Sequence, residues 1–219
     1  MNEESLFTLP KGSVLYVCGA GGKTTLIHKL RDAARSEKKS VMVTTTTHML
    51  REDPMCADRE EIISARKQCG YVFAAMQDPE NVQKCIGIQP DLFCETAGSF
   101  DLTLVEADGS RRLPFKMPYE WEPVIRENVT AIALVAGMRA VGEKLRTAAY
   151  GAELICSRFS LSEDATLTPE LMARIYLSTY VERFRKEYPQ VPVTLVASQT
   201  DSEERAEYGR RFLKEAGVL

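Results

Sequence analysis

The 219 residues carry 28 Lys and Arg against 31 Asp and Glu, a formal net charge of -3, with 44% apolar and 27% charged residues. That length suits one α/β domain with a buried core, and the charge balance offers no global attraction for nucleic acid or an anionic membrane, so neither partner is expected. No apolar run approaches the ~20 residues of a membrane helix, and Met1 to Leu9 carries Glu3 and Glu4, so a cytoplasmic protein without a signal peptide is expected.

Short apolar, β-branched segments alternate with helical ones along the chain. This is the pattern of a mostly parallel sheet flanked by helices, an α/β fold in one domain over 1–219. A first strand is predicted over Ser13 to Val17. A helix follows from Lys23 to about Ser36, with Leu26, Ile27 and Leu30 at helical spacing. Val41 to Thr45 reads as the second strand, Arg59 to Gln68 as a helix, and Tyr71 to Ala75 and Lys84 to Ile88 as strands. Asp101 to Glu106 is the clearest interior strand, and Thr130 to Ala136 is another. Thr168-Pro169-Glu170 opens a helix with a cap hydroxyl and Pro at its first position, and Pro189 closes that segment. Val191 to Ala197 is the last strand; Asp201 and Glu204 then form a capping-box pattern for a terminal helix ending near Gly217.

The run Val17-Cys18-Gly19-Ala20-Gly21-Gly22-Lys23-Thr24-Thr25 joins the first strand to the first helix. A glycine-rich turn ending in Gly-Lys-Thr presents backbone amides at a helix N-terminus, a geometry that holds nucleotide phosphates, so the expected α/β fold is a P-loop NTPase-like three-layer sandwich with a mostly parallel sheet flanked by helices. The amides of Gly19 to Thr25 are the expected cradle, with Lys23 on the β- and γ-phosphates and the Thr24 hydroxyl on Mg²⁺. The first glycine of the usual G-x-x-x-x-G-K-[ST] pattern falls on Val17. Six cysteines without a C-x-x-C pair read as free thiols, Cys18 among them.

Three further segments belong to that chemistry. Glu106 and Asp108 end the interior strand, where a P-loop site needs acids to hold Mg²⁺ and order water. In the run Thr44 to Thr47, one hydroxyl, with Thr46 preferred, is expected to join the Mg²⁺ shell or to sense the γ-phosphate; His48 is a weaker phosphate or substrate contact. Arg111, Arg112 and Lys116 cluster in a loop stiffened by Pro114, Pro118 and Pro123, where they suit transition-state charge or an anionic substrate. Trp121 is expected to pack this loop down or to line a pocket. After the last strand, Ser198-Gln199-Thr200-Asp201 keeps only the Asp of the guanine-reading [NT]-K-x-D motif, so Asp201 is a base-reading candidate that also suits a helix cap, and ATP or GTP remain open.

With these pieces assembled, the chain resembles the YqeC family of selenium-dependent hydroxylase accessory, or selenium cofactor biosynthesis, proteins. The residues that carry the resemblance are GAGGKTT (Gly19 to Thr25), VTTTTHM (Val43 to Met49), EADGSRRLPFK (Glu106 to Lys116) with Glu122-Pro123, AGMRAVGEKL (Ala136 to Leu145) and SQTD (Ser198 to Asp201). Ser198 stands where the family has Asn, and Ser157-Arg158 where it tends to His-Arg, so Arg158 alone is carried over as a substrate contact. The resemblance implies a nucleotide-binding protein serving maturation of selenium-dependent molybdenum hydroxylases, with such an enzyme or its cofactor as partner. Glu106-Ala107-Asp108-Gly109 is similar to the E-x-x-G motif of metal-chaperone GTPases. The phosphate loop also looks like that of Mur ligases. An Mg²⁺-dependent NTP hydrolase is the leading expectation; a kinase or ligase acting on a small anionic substrate, and a non-catalytic nucleotide-switched delivery protein, are the alternatives.

Overall fold

The computed structural model describes residues 3–218. In chain order the elements are β1 (Ser13–Gly19), α1 (Lys23–Ser36), β2 (Val41–Thr45), β3 (His48–Leu50), β4 (Met55–Cys56), α2 (Arg59–Cys69), β5 (Tyr71–Gln77), β6 (Lys84–Gly87), α3 (Pro90–Ala97), β7 (Leu102–Glu106) and β8 (Phe115–Lys116). Then follow β9 (Ala131–Gly137), α4 (Leu145–Ala148), β10 (Ala149–Tyr150), α5 (Ala152–Phe159), α6 (Pro169–Tyr176), α7 (Glu182–Glu187), β11 (Val193–Ser198) and α8 (Glu203–Glu215).

The main sheet runs β11-β9-β1-β7-β2-β5-β6-β3, with β4 added to β5. Its pairs from β11 through to β5 are parallel; β6 pairs antiparallel with both β5 and β3. Every residue of β1, β7 and β9 is buried, as continuous apolar strands in the centre of a parallel sheet must be. Side chains alternate across β1. Val14, Tyr16 and Cys18 enter a core with Tyr176, Tyr180, Phe184 and Phe212, whereas Leu15 and Val17 meet Leu26, Ile27 and Leu30 of α1. Each fully buried side chain of this size adds about 1.5–3 kcal/mol. Helices therefore cover both faces, giving the expected α/β layering.

Local chemistry sets the helix ends. Thr168 accepts from the Leu171 amide at 3.2 Å ahead of Pro169, and Asp58 caps α2. For α8 the cap is Ser202, whose hydroxyl accepts from the Arg205 amide at 3.3 Å. The expected Asp201–Glu204 box is thus displaced by one residue, because Asp201 is drawn into ion pairs with Arg139 and Arg205. A π-helical turn, Leu177–Val181, joins α6 to α7. The segment Lys84–Gly87 is a strand as expected, though antiparallel. α3 and the small parallel pair β8–β10 carry too few residues for a periodic signal. Among the described residues, no helix is long and apolar enough to cross a membrane.

Candidate functional site

Parallel register brings the ends of three strands to one edge. Val17 of β1 and Thr45 of β2 both lie opposite Glu106 of β7. β1 runs two residues beyond its predicted end, to Gly19, so Val17 sits inside a strand and not in the turn. Gly19 (φ 93°) and Gly21 (φ 77°) occupy the left-handed region, and a Cβ on them would lie 2.3 Å from the Val135 carbonyl oxygen and 2.5 Å from that of Pro114. Gly22 begins α1 with no side-chain cap. The Ala20 amide donates to the Val135 oxygen (2.9 Å) and the Gly19 amide to the Asp108 carboxylate (3.1 Å), so these two expected phosphate donors are used internally. The amides of Gly21 to Thr25 have no acceptor among the described residues and head a cleft of about 860 Å³.

The two acids part company here. Glu106 opens onto the cleft and accepts from the Thr24 hydroxyl at 2.8 Å. Burial lifts its carboxyl above the ordinary carboxylate range, with Lys23 and Thr24 partly opposing that lift. Asp108 lies behind the loop and away from the cleft. It takes the Gly19 amide, the Tyr180 hydroxyl (3.0 Å), and the ammonium groups of Lys23 (3.2 Å) and Lys116 (3.5 Å). That surrounding does not support the expected role of Asp108 as metal ligand or catalytic acid, since it lies off the cleft and its oxygens are engaged by four groups. Lys23 also donates to the Gly19 oxygen at 2.6 Å. Burial pulls its pKa down, yet Asp108 and Glu106 carry it above the ordinary lysine value.

Other expected residues also separate. Thr46 donates to the Val124 oxygen (2.8 Å) and does not line the cleft, so its metal role is not supported by its position. Arg111 and Arg112 are exposed on the cleft wall, both at positive φ (49° and 64°), a strain of about 1–2 kcal/mol per residue outside glycine. Lys116, expected to meet a substrate, is wholly buried: it binds the Gly109 oxygen (2.5 Å), Glu122 (2.8 Å) and Asp108. Its neighbours Phe115 and Met117 are buried too, and a lysine between two large apolar residues was the available sign. Arg158 donates to the Ser178 oxygen (2.8 Å) away from the cleft, and Asp201 is exposed outside it. His48 lines the cleft, 3.7 Å from Asp78. Trp121 is exposed and stacks on Tyr119 at 4.9 Å, outside the cleft.

Of the run Thr44 to Thr47 it is Thr47, not the preferred Thr46, that lines the cleft; residues missed in the sequence include Glu122, Tyr150 and Gln199, all on the cleft, and Tyr180 behind it. Tyr180 is invisible from spacing because it reaches Asp108 across 72 positions. The six cysteines form no disulfide, and no group of three or more His, Cys, Asp or Glu is arranged for a metal ion among the described residues.

The chain is 12% identical to the Pyrococcus furiosus Hef helicase domain over 99% of this chain and 36% of that one, with a TM-score of 0.23, too low to bear on the fold. It is 31% identical over 191 residues to the Escherichia coli (strain K12) protein named "Uncharacterized protein YqeC", covering 81% of this chain and 69% of that one. The model of the family described as YqeC protein matches residues 15–152. The chain belongs to the YqeC family.

Proposed function

We propose that this chain is an Mg²⁺-dependent P-loop nucleotide-binding protein that hydrolyses ATP or GTP. One observation carries the reading: Thr24, at the head of an uncapped helix, bonds a buried glutamate at 2.8 Å on the floor of a cleft whose wall bears two arginines without a carboxylate partner among the described residues. The donor set fits Mg²⁺, which favours hard oxygens and typically takes one or two carboxylates together with phosphate oxygens. Thr24 and Glu106 would hold it, and the bound ion would draw charge from the phosphates. A cation beside Glu106 also offsets the desolvation that lifts its pKa. The free amides of Gly21 to Thr25 cradle the phosphates, and Lys23 leaves Asp108 to join them. Arg111 and Arg112 meet charge developing on the γ-phosphate. Asp108, Lys116 and Tyr180 act from behind the loop as positioning residues. Service in selenium cofactor biosynthesis or molybdenum hydroxylase maturation rests on the motif resemblance alone.

A second reading, transfer to an anionic acceptor, is favoured by one feature. A smaller cavity of about 320 Å³ adjoins the cleft and shares Arg111, Leu113 and Tyr150 with it. Fluorescent ATP and GTP analogues titrated with Mg²⁺ test the first reading. Lys23→Ala and Thr24→Val should each weaken binding by about a hundredfold, the scale of several lost charge-assisted contacts, with melting curves confirming a folded variant. Undiminished binding in both would sink it. Turnover that stays slow until a small anionic metabolite is added would favour transfer.

A further inference from the structure

Four consecutive threonines follow β2, and their hydroxyls have different fates. Thr44 donates to the Ala74 oxygen (2.6 Å), Thr45 to the Glu106 oxygen (2.8 Å) and Thr46 to the Val124 oxygen (2.8 Å). Thr47 is the exception. Its hydroxyl has no hydrogen-bond partner among the described residues, although it is half-buried in the cleft that also exposes Lys23, Thr24 and Glu106.

The backbone around Thr47 is fixed to the acid strand. Its amide donates to the Thr45 hydroxyl (3.0 Å), and that hydroxyl in turn holds the main-chain oxygen of Glu106. The Thr46 amide bonds the same oxygen at 3.0 Å. On the other side lies Gly109, where a Cβ would stand 3.7 Å from the Thr47 hydroxyl oxygen. The main chain of Thr47 is therefore tied to that of Glu106 through the Thr45 hydroxyl.

We infer that Thr47 supplies the third protein oxygen, beside Thr24 and Glu106, in the coordination shell of a divalent cation bound with nucleotide phosphates. The inference rests on the nucleotide reading above. Hydroxyl, carboxylate and phosphate oxygens are the ligand types Mg²⁺ takes, and Thr47 is the one member of the run that lines the cleft.

The test is the Mg²⁺ midpoint for binding a fluorescent ATP or GTP analogue. Thr47→Val should raise that midpoint about tenfold, the usual scale for losing a residue that supports a metal. Thr47→Ser should restore it, and Thr46→Val should leave it within about twofold of the wild type, as a residue outside the shell would. A wild-type midpoint in Thr47→Val, or a Ser variant as impaired as Val, overturns the inference. If the wild type binds the analogue, Lys23→Ala abolishes binding and Thr47→Val changes nothing, only the role of Thr47 falls. If the wild type binds no nucleotide at any Mg²⁺ concentration, the nucleotide reading falls and takes this one with it.

Discussion

Asp108→Asn separates a structural acid from a metal-binding one, because it keeps the side chain's shape and removes its charge. The carboxylate is fully buried, as is Lys116, and Lys23 is 5% exposed. Removing one partner of a buried ion pair costs about 3–5 kcal/mol. Here both cations keep other acceptors, Lys23 the Gly19 oxygen and Lys116 Glu122 with the Gly109 oxygen, so the lower end of about 3 kcal/mol applies. For a chain of this size each kcal/mol moves the melting temperature by about 2–4 °C, so a fall of about 6–12 °C is expected. Thermal unfolding followed by circular dichroism reads that loss. The Mg²⁺ midpoint for nucleotide binding, measured alongside, should stay within about twofold, as for a residue outside the shell. An unchanged melting temperature together with a markedly higher Mg²⁺ midpoint would refute the reasoning and return Asp108 to the metal.

Glu106 should leave a pH signature. Its lifted pKa means the folded state holds the proton more tightly than the unfolded chain; that contribution is complete below pH 4.5 and is lost as pH rises through the folded value. Relative to wild type, Glu106→Gln should therefore gain stability between pH 4 and pH 7 in denaturant titrations, and a constant difference would contradict this. Asp101 behaves oppositely: the Ser40 hydroxyl, then its amide, hold it down to about 2, with Lys11 adding to the effect. Its contribution is present above pH 3.8 and lost as pH falls through about 2, so Asp101→Asn should be less stable than wild type near pH 7, with the difference shrinking towards zero below pH 2 in acid-unfolding curves. Asp201→Ala should leave the ratio of ATP to GTP affinity within about twofold, because its carboxylate is exposed and paired with Arg139 and Arg205 away from the cleft. Selective loss of GTP binding would make it a base reader.

What could be read from sequence was what repeats or punctuates. β1, α1, β2 and β7 followed from apolar runs, helical spacing and the glycine turn, and their ends fell within two residues of expectation. The two-residue strands β8 and β10 have no period to detect, and their pairing joins positions 34 apart. The site was legible by residue type but not by direction. Glu106 and Asp108 are two positions apart and chemically alike, yet Tyr180 and Lys116 turn one of them into a buried anchor. Four identical threonines likewise differ only in which carbonyls their neighbours bring within reach.

The Pro114 carbonyl touches more than its place in the chain suggests. It accepts from the Gly137 amide at 3.0 Å, and a Cβ on Gly21 or on Gly137 would stand 2.5 or 2.8 Å from it. Three segments far apart in sequence are thus wedged on one oxygen atom, and the turn bearing Arg111 and Arg112 ends just before it, closed by a Leu113 to Ser110 hydrogen bond of 2.9 Å. The cationic wall is consequently keyed to the phosphate loop like two teeth on one gear. The spacing between the Arg111–Arg112 turn and the glycine loop is therefore set at this one carbonyl. Gly137, with no side chain to offer and no place on the cleft surface, becomes a residue whose methylation to Ala would alter that spacing from behind.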